Sequence, residues 1–355
     1  MIARRGFPAR AAAIAAILLA LGAGAAGALA AASALPAPHA LAFPAIGGVV
    51  RESPALDALI APDARVEKLA DGFTWAEGPV WVPADHALYF SDVPANAMYR
   101  WTEGGGASVF LKPSGYAGTD LAPFREPGSN GLIRGPGHSL ILADGSRAVS
   151  RLDLGTKAKV MLATGYGGKR FNSPNDLVRA ADGSLYFTDP PYGLKDLDAS
   201  PAKELKVNGV YRLAPDGEVR LVAGDFSFPN GIALSPDGRT LYVSNSDPKR
   251  AVIVALNLGP DGMPTGRRIF ADMTALVAPS RPGMPDGMTV DARGNLFASG
   301  PGGLHVLTPA GVELGLIRTG DTIANCKFGE DGRTLFLASN HMIARIRTRT
   351  RGLGF

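Results

Sequence analysis

The chain repeats one short pattern six times, and this repeat restricts the possible folds more than any other feature of the sequence. In each copy, a polar residue in a turn-like setting is followed about ten residues later by an apolar segment that begins with leucine. The polar positions are Glu77, Asn130, Asn175, Asn230, Asp286 and Asn325, and the apolar segments begin at Leu88, Leu140, Leu185, Leu241, Leu296 and Leu335. The fixed order predicts that every unit presents an oxygen-bearing side chain at the same corner.

The apolar segments have the composition of β-strands. Segments such as Leu-Tyr-Phe-Ser-Asp (88–92) are rich in β-forming residues, and most follow Gly, Asp or Asn turn signals. Their spacing of roughly 40 to 55 residues suits a four-stranded antiparallel sheet, which is one propeller blade. Sandwiches and barrels also contain many short strands, but they give no reason for a polar residue to recur in register. We therefore predict an all-β fold, a six-bladed β-propeller formed as one domain by residues 65–355.

The N-terminal region predicts export from the cytoplasm. Residues 1–34 contain three arginines, then an uncharged Ala/Leu-rich run, then Ala-x-Ala cleavage sites. The pair Arg4-Arg5 is similar to a twin-arginine signal, with a general secretory signal and an uncleaved membrane anchor as alternatives. Residues 35–64, rich in Pro and Ala, are expected to form a linker. A periplasmic or secreted location follows from a cleaved signal.

Charge and cysteine content exclude some functional classes. Arg4, Arg5 and Arg10 supply three of the four net positive charges, so the rest of the chain is close to neutral. Nucleic-acid binding is therefore not indicated, and after signal removal neither is a membrane partner. The single cysteine, Cys326, permits no internal disulfide. The sequence leaves the oligomeric state open.

The six polar positions together suggest a metal site. Taken singly, pairs such as Asn230-Gly231 are ordinary turn dipeptides. Convergence on one axial point explains why all six positions carry Glu, Asp or Asn. A ring of carboxylate and amide oxygens without His or Cys suits one hard divalent cation, Ca²⁺ above all, with Mg²⁺, Mn²⁺ or Zn²⁺ as alternatives.

Six ordered motifs resemble those of the gluconolactonase group of the SMP-30/gluconolactonase family. They are Trp-Ala-Glu-Gly-Pro-Val-Trp (75–81), Ser-Asn-Gly-Leu (129–132), Gly-Lys-Arg-Phe-Asn-Ser-Pro-Asn-Asp-Leu-Val (168–178), Phe-Thr-Asp-Pro-Pro-Tyr-Gly (187–193), Pro-Asn-Gly-Ile-Ala-Leu-Ser-Pro-Asp (229–237) and Pro-Asp-Gly-Met (285–288). The resemblance covers nearly all of the chain after about residue 65 and implies a six-bladed propeller. One departure, Ala143-Asp144-Gly145-Ser146-Arg147, lacks the histidine or other polar residue often expected there and bears on substrate preference.

The resemblance also implies roles for individual residues. The implied ligands of a central divalent cation are Glu77, Asn175, Asn230 and Asp286. The residues implied in substrate contact, or in support of the ligands, are Asn130, Asp176 and Asp189, with Asn172 and Tyr192 flanking the same motifs and lining the pocket.

A cation held in this way predicts hydrolysis of a cyclic ester. The expected substrate is glucono-1,5-lactone or a related sugar lactone, with the cation as Lewis acid and Asp286 as the general acid and base. A metal-dependent phosphotriesterase or arylesterase of the same fold is one alternative. A non-catalytic propeller that holds calcium for structure is another.

Overall fold

The six apolar segments predicted as strands are the second strands of six antiparallel sheets in the structure, a computed structural model that describes residues 43–355. Each sheet contains four blade strands that follow one another in the chain, except that the last sheet takes its outer strand from the start of the domain. Two of the sheets carry a fifth strand at the edge. The first strands of the sheets lie innermost, and each contacts the first strand of the next sheet around a closed ring. The prediction of a six-bladed β-propeller is confirmed.

The first three blades follow one another directly. Blade 1 consists of Ala76–Val82, Ala87–Asp92, Ala97–Thr102 and Gly106–Leu111. Blade 2 consists of Leu132–Arg134, Ser139–Asp144, Ala148–Asp153 and Lys159–Ala163. Blade 3 consists of Leu177–Arg179, Leu185–Asp189, Asn208–Leu213 and Val219–Phe226, and a small hairpin of Gly165–Tyr166 and Lys169–Arg170 precedes it.

The remaining blades close the ring. Blade 4 consists of Pro229–Leu234, Thr240–Asp247, Arg250–Leu258 and Pro264–Asp272. Blade 5 consists of Met288–Val290, Leu296–Gly300, Gly303–Leu307 and Glu313–Arg318. Blade 6 takes Asn325–Gly329, Thr334–Ser339 and Met342–Arg347 from the end of the chain and Val66–Asp71 from its beginning, so the two ends of the propeller domain are joined within one sheet.

The described part of the predicted linker, residues 43–64, belongs to the propeller instead. Ala45–Ile46 pairs with the outer strand of blade 6, and Gly48–Arg51 pairs with the outer strand of blade 5. The 3₁₀-helix Pro54–Ala58 follows, and the fully buried Leu56 and Ile60 lie in the apolar cluster between these two blades. Apolar side chains and free sheet edges therefore hold this segment, which its Pro and Ala content had suggested was a linker. The predicted export signal, residues 1–34, lies outside the described residues.

Apolar side chains fill the space between neighbouring blades. Six clusters are present within residues 43–355, one for each interface between blades. At the junction of blades 6 and 1, the rings of Phe336 and Trp81 stack with their centroids 5.6 Å apart. The other helical segments are single 3₁₀ turns at Pro83–Asp85, Leu197–Ala199 and Thr274–Leu276. Within residues 43–355, no helix combines the length and apolarity that a membrane crossing requires.

Candidate metal and active site

The six recurring polar residues all lie where the innermost strands begin, at one end of the central channel. Glu77, Asn230 and Asn325 lie in the first two positions of their strands, and the other three lie two residues before theirs. We call this set, Glu77, Asn130, Asn175, Asn230, Asp286 and Asn325, the axial ring. The structure thus brings the six predicted residues together at one end of the channel. That they bind a metal stays a prediction.

Glycines after the ring residues allow neighbouring blades to approach closely. A Cβ atom on Gly231 would lie 2.1 Å from the backbone oxygen of Asp286, and one on Gly287 would lie 2.1 Å from Cγ of Asn325. Neither glycine has a positive φ angle, so the left-handed conformation of a tight turn is not what requires glycine here. The absence of a side chain is what lets one ring residue contact the next.

Hydroxyl groups from the second strands fix the ring backbone. Ser91 Oγ donates a hydrogen bond to the backbone oxygen of Asn130 at 2.9 Å, and Thr188 Oγ1 donates to that of Asn230 at 2.6 Å. The side-chain nitrogen Nδ2 of Asn230 donates a hydrogen bond to Ser246 Oγ at 3.0 Å. The side-chain oxygen of Asn230 is left buried, with no hydrogen-bond partner among the described residues.

Four ring residues present buried oxygens that have no hydrogen-bond partner among the described residues. These atoms are Oδ1 of Asn130, Asn175, Asn230 and Asp286. Unsatisfied buried oxygens are rare in folded proteins, and several at one place fit a hard cation. Residues 43–355 contain no group of three or more His, Cys, Asp or Glu side chains positioned to hold a metal, so a cation held here would need amide oxygens among its ligands. The residues present therefore fit a divalent cation.

Asn325 differs from the other asparagines of the ring because its amide is already engaged. Its Oδ1 accepts a hydrogen bond from the backbone nitrogen of Cys326 at 2.8 Å, and its Nδ2 donates to Asp176 Oδ2 at 3.5 Å. Asp176 also accepts from the backbone nitrogen of Leu177 at 2.8 Å. The Asp176 carboxylate therefore links blade 3 to the opposite blade 6, beneath the ring. We interpret it as support for the ligands rather than as a group that contacts substrate.

Burial and mutual repulsion perturb the carboxyl groups at the axis. Burial raises the pKa of Glu77 to about 8, and the charge of Asp176 adds to this shift. Burial of its carboxyl group, followed by the charges of Glu77 and Asp176, raises the pKa of Asp286 well above its usual range. A divalent cation would reverse both effects, because it favours the charged forms. The electrostatics of the site thus agree with its unpartnered oxygens.

Two loops cover the ring end of the channel. The loop between blades 1 and 2 (112–131) and the loop after the second strand of blade 3 (190–207) are joined by backbone hydrogen bonds. Arg125 donates to the Gly193 oxygen and Lys195 to the Pro123 oxygen, both at 2.9 Å. Tyr192 lies at the start of the second loop, where its ring stacks on Phe228 with the centroids 5.8 Å apart. Its predicted role in lining the pocket stays a prediction.

Glu126 is a site residue that the sequence motifs did not indicate. Its side chain is only 15% exposed, and burial raises its pKa. Its charge also raises the pKa of Asp286 and of Tyr192, although burial is the larger cause for both groups. Its one ion-pair partner among residues 43–355 is its neighbour Arg125, at 2.8 Å. Glu126 belongs to no repeat, so only the folding of its loop brings it to the site.

Asp189 and Asn172, two predicted substrate residues, lie in a separate buried cluster. The Asn172 backbone donates to Asp189 Oδ2 at 2.8 Å, and the Asn172 amide donates to the Val207 oxygen at 2.9 Å. Burial raises the pKa of Asp189 to about 7, and backbone hydrogen bonds together with the charges of Arg147 and Lys203 oppose this shift. These contacts hold the segment that leads to Asn175, so we interpret both residues as support for a ligand. Their direct contact with substrate stays a prediction.

Comparison with known proteins gives the same family that the motifs suggested. The model of the SMP-30/Gluconolactonase/LRE-like region matches residues 75–341. A gluconolactonase of Zymomonas mobilis subsp. mobilis is 47% identical over 312 residues, which is 86% of this chain and 88% of that protein. A pentonolactonase of Haloferax volcanii is 27% identical over 67% of this chain and 72% of its own length. The solved structure of a gluconolactonase from Xanthomonas campestris is 34% identical, with a TM-score of 0.72 over 86% of this chain and 97% of that one. The chain belongs to the SMP-30/gluconolactonase/LRE-like family.

Proposed function

We propose that this protein hydrolyses a sugar lactone, glucono-1,5-lactone or a close relative, to the aldonic acid with the help of one bound divalent cation. The observation that carries the proposal is the set of unpartnered buried oxygens on Asn130, Asn175, Asn230 and Asp286. The similarity to the gluconolactonase of Zymomonas mobilis supports the substrate class. Oxygen ligands alone favour Ca²⁺, with Mg²⁺, Mn²⁺ and Zn²⁺ as alternatives.

The cation would be held by Glu77, Asn175, Asn230 and Asp286, with Asn130 close by. When bound, it supplies a Lewis acid that polarises the lactone carbonyl. The asparagine oxygens hold the ion without neutralising it, because amides carry no charge. Asp176 and Asn325 keep the ring in place through the bond that they form across the channel.

Asp286 carries the proton transfers in this proposal. Its carboxylate takes a proton from water while the water oxygen bonds to the lactone carbonyl carbon. The bond between that carbon and the ring oxygen then breaks, and Asp286 returns the proton to the ring oxygen as a hydroxyl group.

Groups on the covering loops orient the sugar. Tyr192 offers an aromatic surface and a hydroxyl group, and Glu126 offers a carboxylate that accepts hydrogen bonds from sugar hydroxyls. The two loops also restrict the access of bulk water, since they are bonded to each other above the ring. A neutral, hydroxyl-bearing ring is the substrate class that such an entrance favours.

The test is the initial rate of glucono-1,5-lactone hydrolysis above the spontaneous rate, after chelation and after Ca²⁺, Mg²⁺, Mn²⁺ or Zn²⁺ is restored. Loss of the rate on chelation and its recovery with a divalent ion are expected. Asp286→Asn should lose turnover, while Asp237→Asn, in an exposed turn at the other end of the propeller, should match the parent. A rate that survives complete chelation, or no rate with any ion, would overturn the proposal. Phosphotriesters and aryl esters would then be the next substrates.

We also propose that the protein is exported and that residues 1–34 are removed. The charge pattern and the Ala-x-Ala sites support this proposal. Sequencing the first residues of protein recovered from the periplasm or medium tests it, and an intact Met1 would contradict it.

A further inference from the structure

A second cavity lies on the propeller axis at the end opposite the axial ring. Its volume is about 850 Å³, and all six innermost strands contribute to its wall. Small-molecule sites in proteins typically measure about 300–1,000 Å³. The cavity is therefore large enough for a ligand and is separate from the proposed catalytic site.

The wall of this cavity is mostly apolar. Apolar side chains on the wall that keep exposed surface are Ile133, Val178, Leu353 and Phe355. The end of the chain folds along the rim, where the backbone nitrogen of Leu353 donates to the Val290 oxygen at 3.1 Å. Such a wall offers few partners to sugar hydroxyls, so a lactone ring is not the ligand that it favours.

The charged side chains at the cavity are all basic among the described residues. Arg134, Arg179 and Lys327 line it, and no Asp or Glu of residues 43–355 does. None of the three forms an ion pair with a described residue, the carboxylate of Phe355 included. Arg134 lies 5.2 Å from the centre of the Phe355 ring, and Lys327 Nζ donates to the Met288 oxygen at 2.8 Å. A fourth basic group, His138, is already bonded to Asp85 at 2.7 Å.

We infer that this cavity binds an amphipathic carboxylate, with the apolar body against the strand walls and the carboxylate at Arg134, Arg179 and Lys327. Guanidinium groups without an ion-pair partner bind carboxylates through paired hydrogen bonds. Arg134 is held only by a long hydrogen bond of 3.4 Å to the Gly354 oxygen. Burial of an alkyl or aryl body against the walls supplies the rest of the affinity. The two ends of the channel thus select different ligands. The end with the axial ring carries carboxylate and amide oxygens, whereas the opposite end carries basic side chains and apolar walls.

Calorimetric titration of the purified protein with decanoate tests the inference. Chelated protein is used, so that a carboxylate bound to a metal at the axial ring cannot contribute. Decanoate is expected to bind at one site, and decyltrimethylammonium, which has the same chain and the opposite charge, at least tenfold more weakly. Arg134→Ala/Arg179→Ala should weaken decanoate binding by tenfold or more. The control Arg65→Ala/Arg239→Ala removes the same charge from exposed positions away from the cavity and should leave binding unchanged.

A third variant tests the location independently of the arginines. Thr289→Glu places a carboxylate on the half-buried wall and should abolish decanoate binding while the thermal unfolding midpoint stays near that of the parent. Equal binding of decanoate and decyltrimethylammonium, no binding of decanoate, or equal losses in the two double-arginine variants would each overturn the inference.

Discussion

Replacing Glu77 by Gln should stabilise the metal-free protein while removing its affinity for the cation. Burial raises the pKa of Glu77 from 4.5 to about 8, so the folded state keeps a proton that the unfolded chain releases. Stability from this group is complete below pH 4.5 and is lost as the pH rises toward 8. Glutamine has a similar shape and does not titrate, so the variant avoids this loss.

The pKa of Glu77 sets the size of the effect. One pKa unit corresponds to about 1.4 kcal/mol, so the parent loses about 1 kcal/mol at pH 5 and roughly 3 kcal/mol at pH 7. The variant should exceed the parent in free energy of unfolding by these amounts. Saturating Ca²⁺ should reverse the order, because binding at 1,000 times Kd stabilises the parent by about 4.1 kcal/mol and leaves the variant unchanged.

Urea unfolding at pH 5, 6 and 7, with chelator and then with Ca²⁺, measures both effects. Asp331→Asn is a control of opposite sign, because a hydrogen bond from Arg347 lowers the pKa of Asp331 to about 2. Relative to the parent, Asp331→Asn should be less stable by the same amount at pH 5, 6 and 7, because Asp331 is charged in both the folded and the unfolded chain over this range. A metal-free Glu77→Gln protein less stable than the parent at pH 7, or a difference that does not grow with pH, would refute the reasoning.

Three further substitutions test the ring, the entrance and the supporting cluster. Gly231→Ala should lower the free energy of unfolding by about 1–3 kcal/mol and weaken Ca²⁺ binding, because its Cβ atom would clash with the backbone oxygen of Asp286. The control Gly48→Ala has open space around its Cβ atom and should change neither quantity in the same thermal melts and Ca²⁺ titrations. Glu126→Gln should raise KM for the lactone several-fold with a smaller change in kcat, and an unchanged KM would remove Glu126 from sugar binding. Asp189→Ala should cost about 1–3 kcal/mol by leaving the Asn172 backbone nitrogen unpaired, and steady-state kinetics should find KM unchanged.

The sequence by itself determined the number of blades and the position of the polar corners. Strand composition and turn signals depend on neighbouring residues, and the same pattern occurs six times, so each copy supports the others. The second strands therefore begin where the leucines predicted, and Glu77, Asn175, Asn230 and Asp286 meet at one end of the channel. Local sequence patterns were sufficient to predict these features because all six blades have the same strand arrangement and pack against their neighbours in the same way.

Only the tertiary structure separated residues that look alike in the sequence. Asn325 shares the repeat position of Asn230, but its amide is bonded to Cys326 and to Asp176, whose carboxylate comes from the opposite blade. Glu126 carries no motif and reaches the site through the pairing of two loops. Residues 43–64 read as a linker, yet they pair with blades 5 and 6. Each of these outcomes depends on contacts between segments far apart in the chain, which no local pattern records.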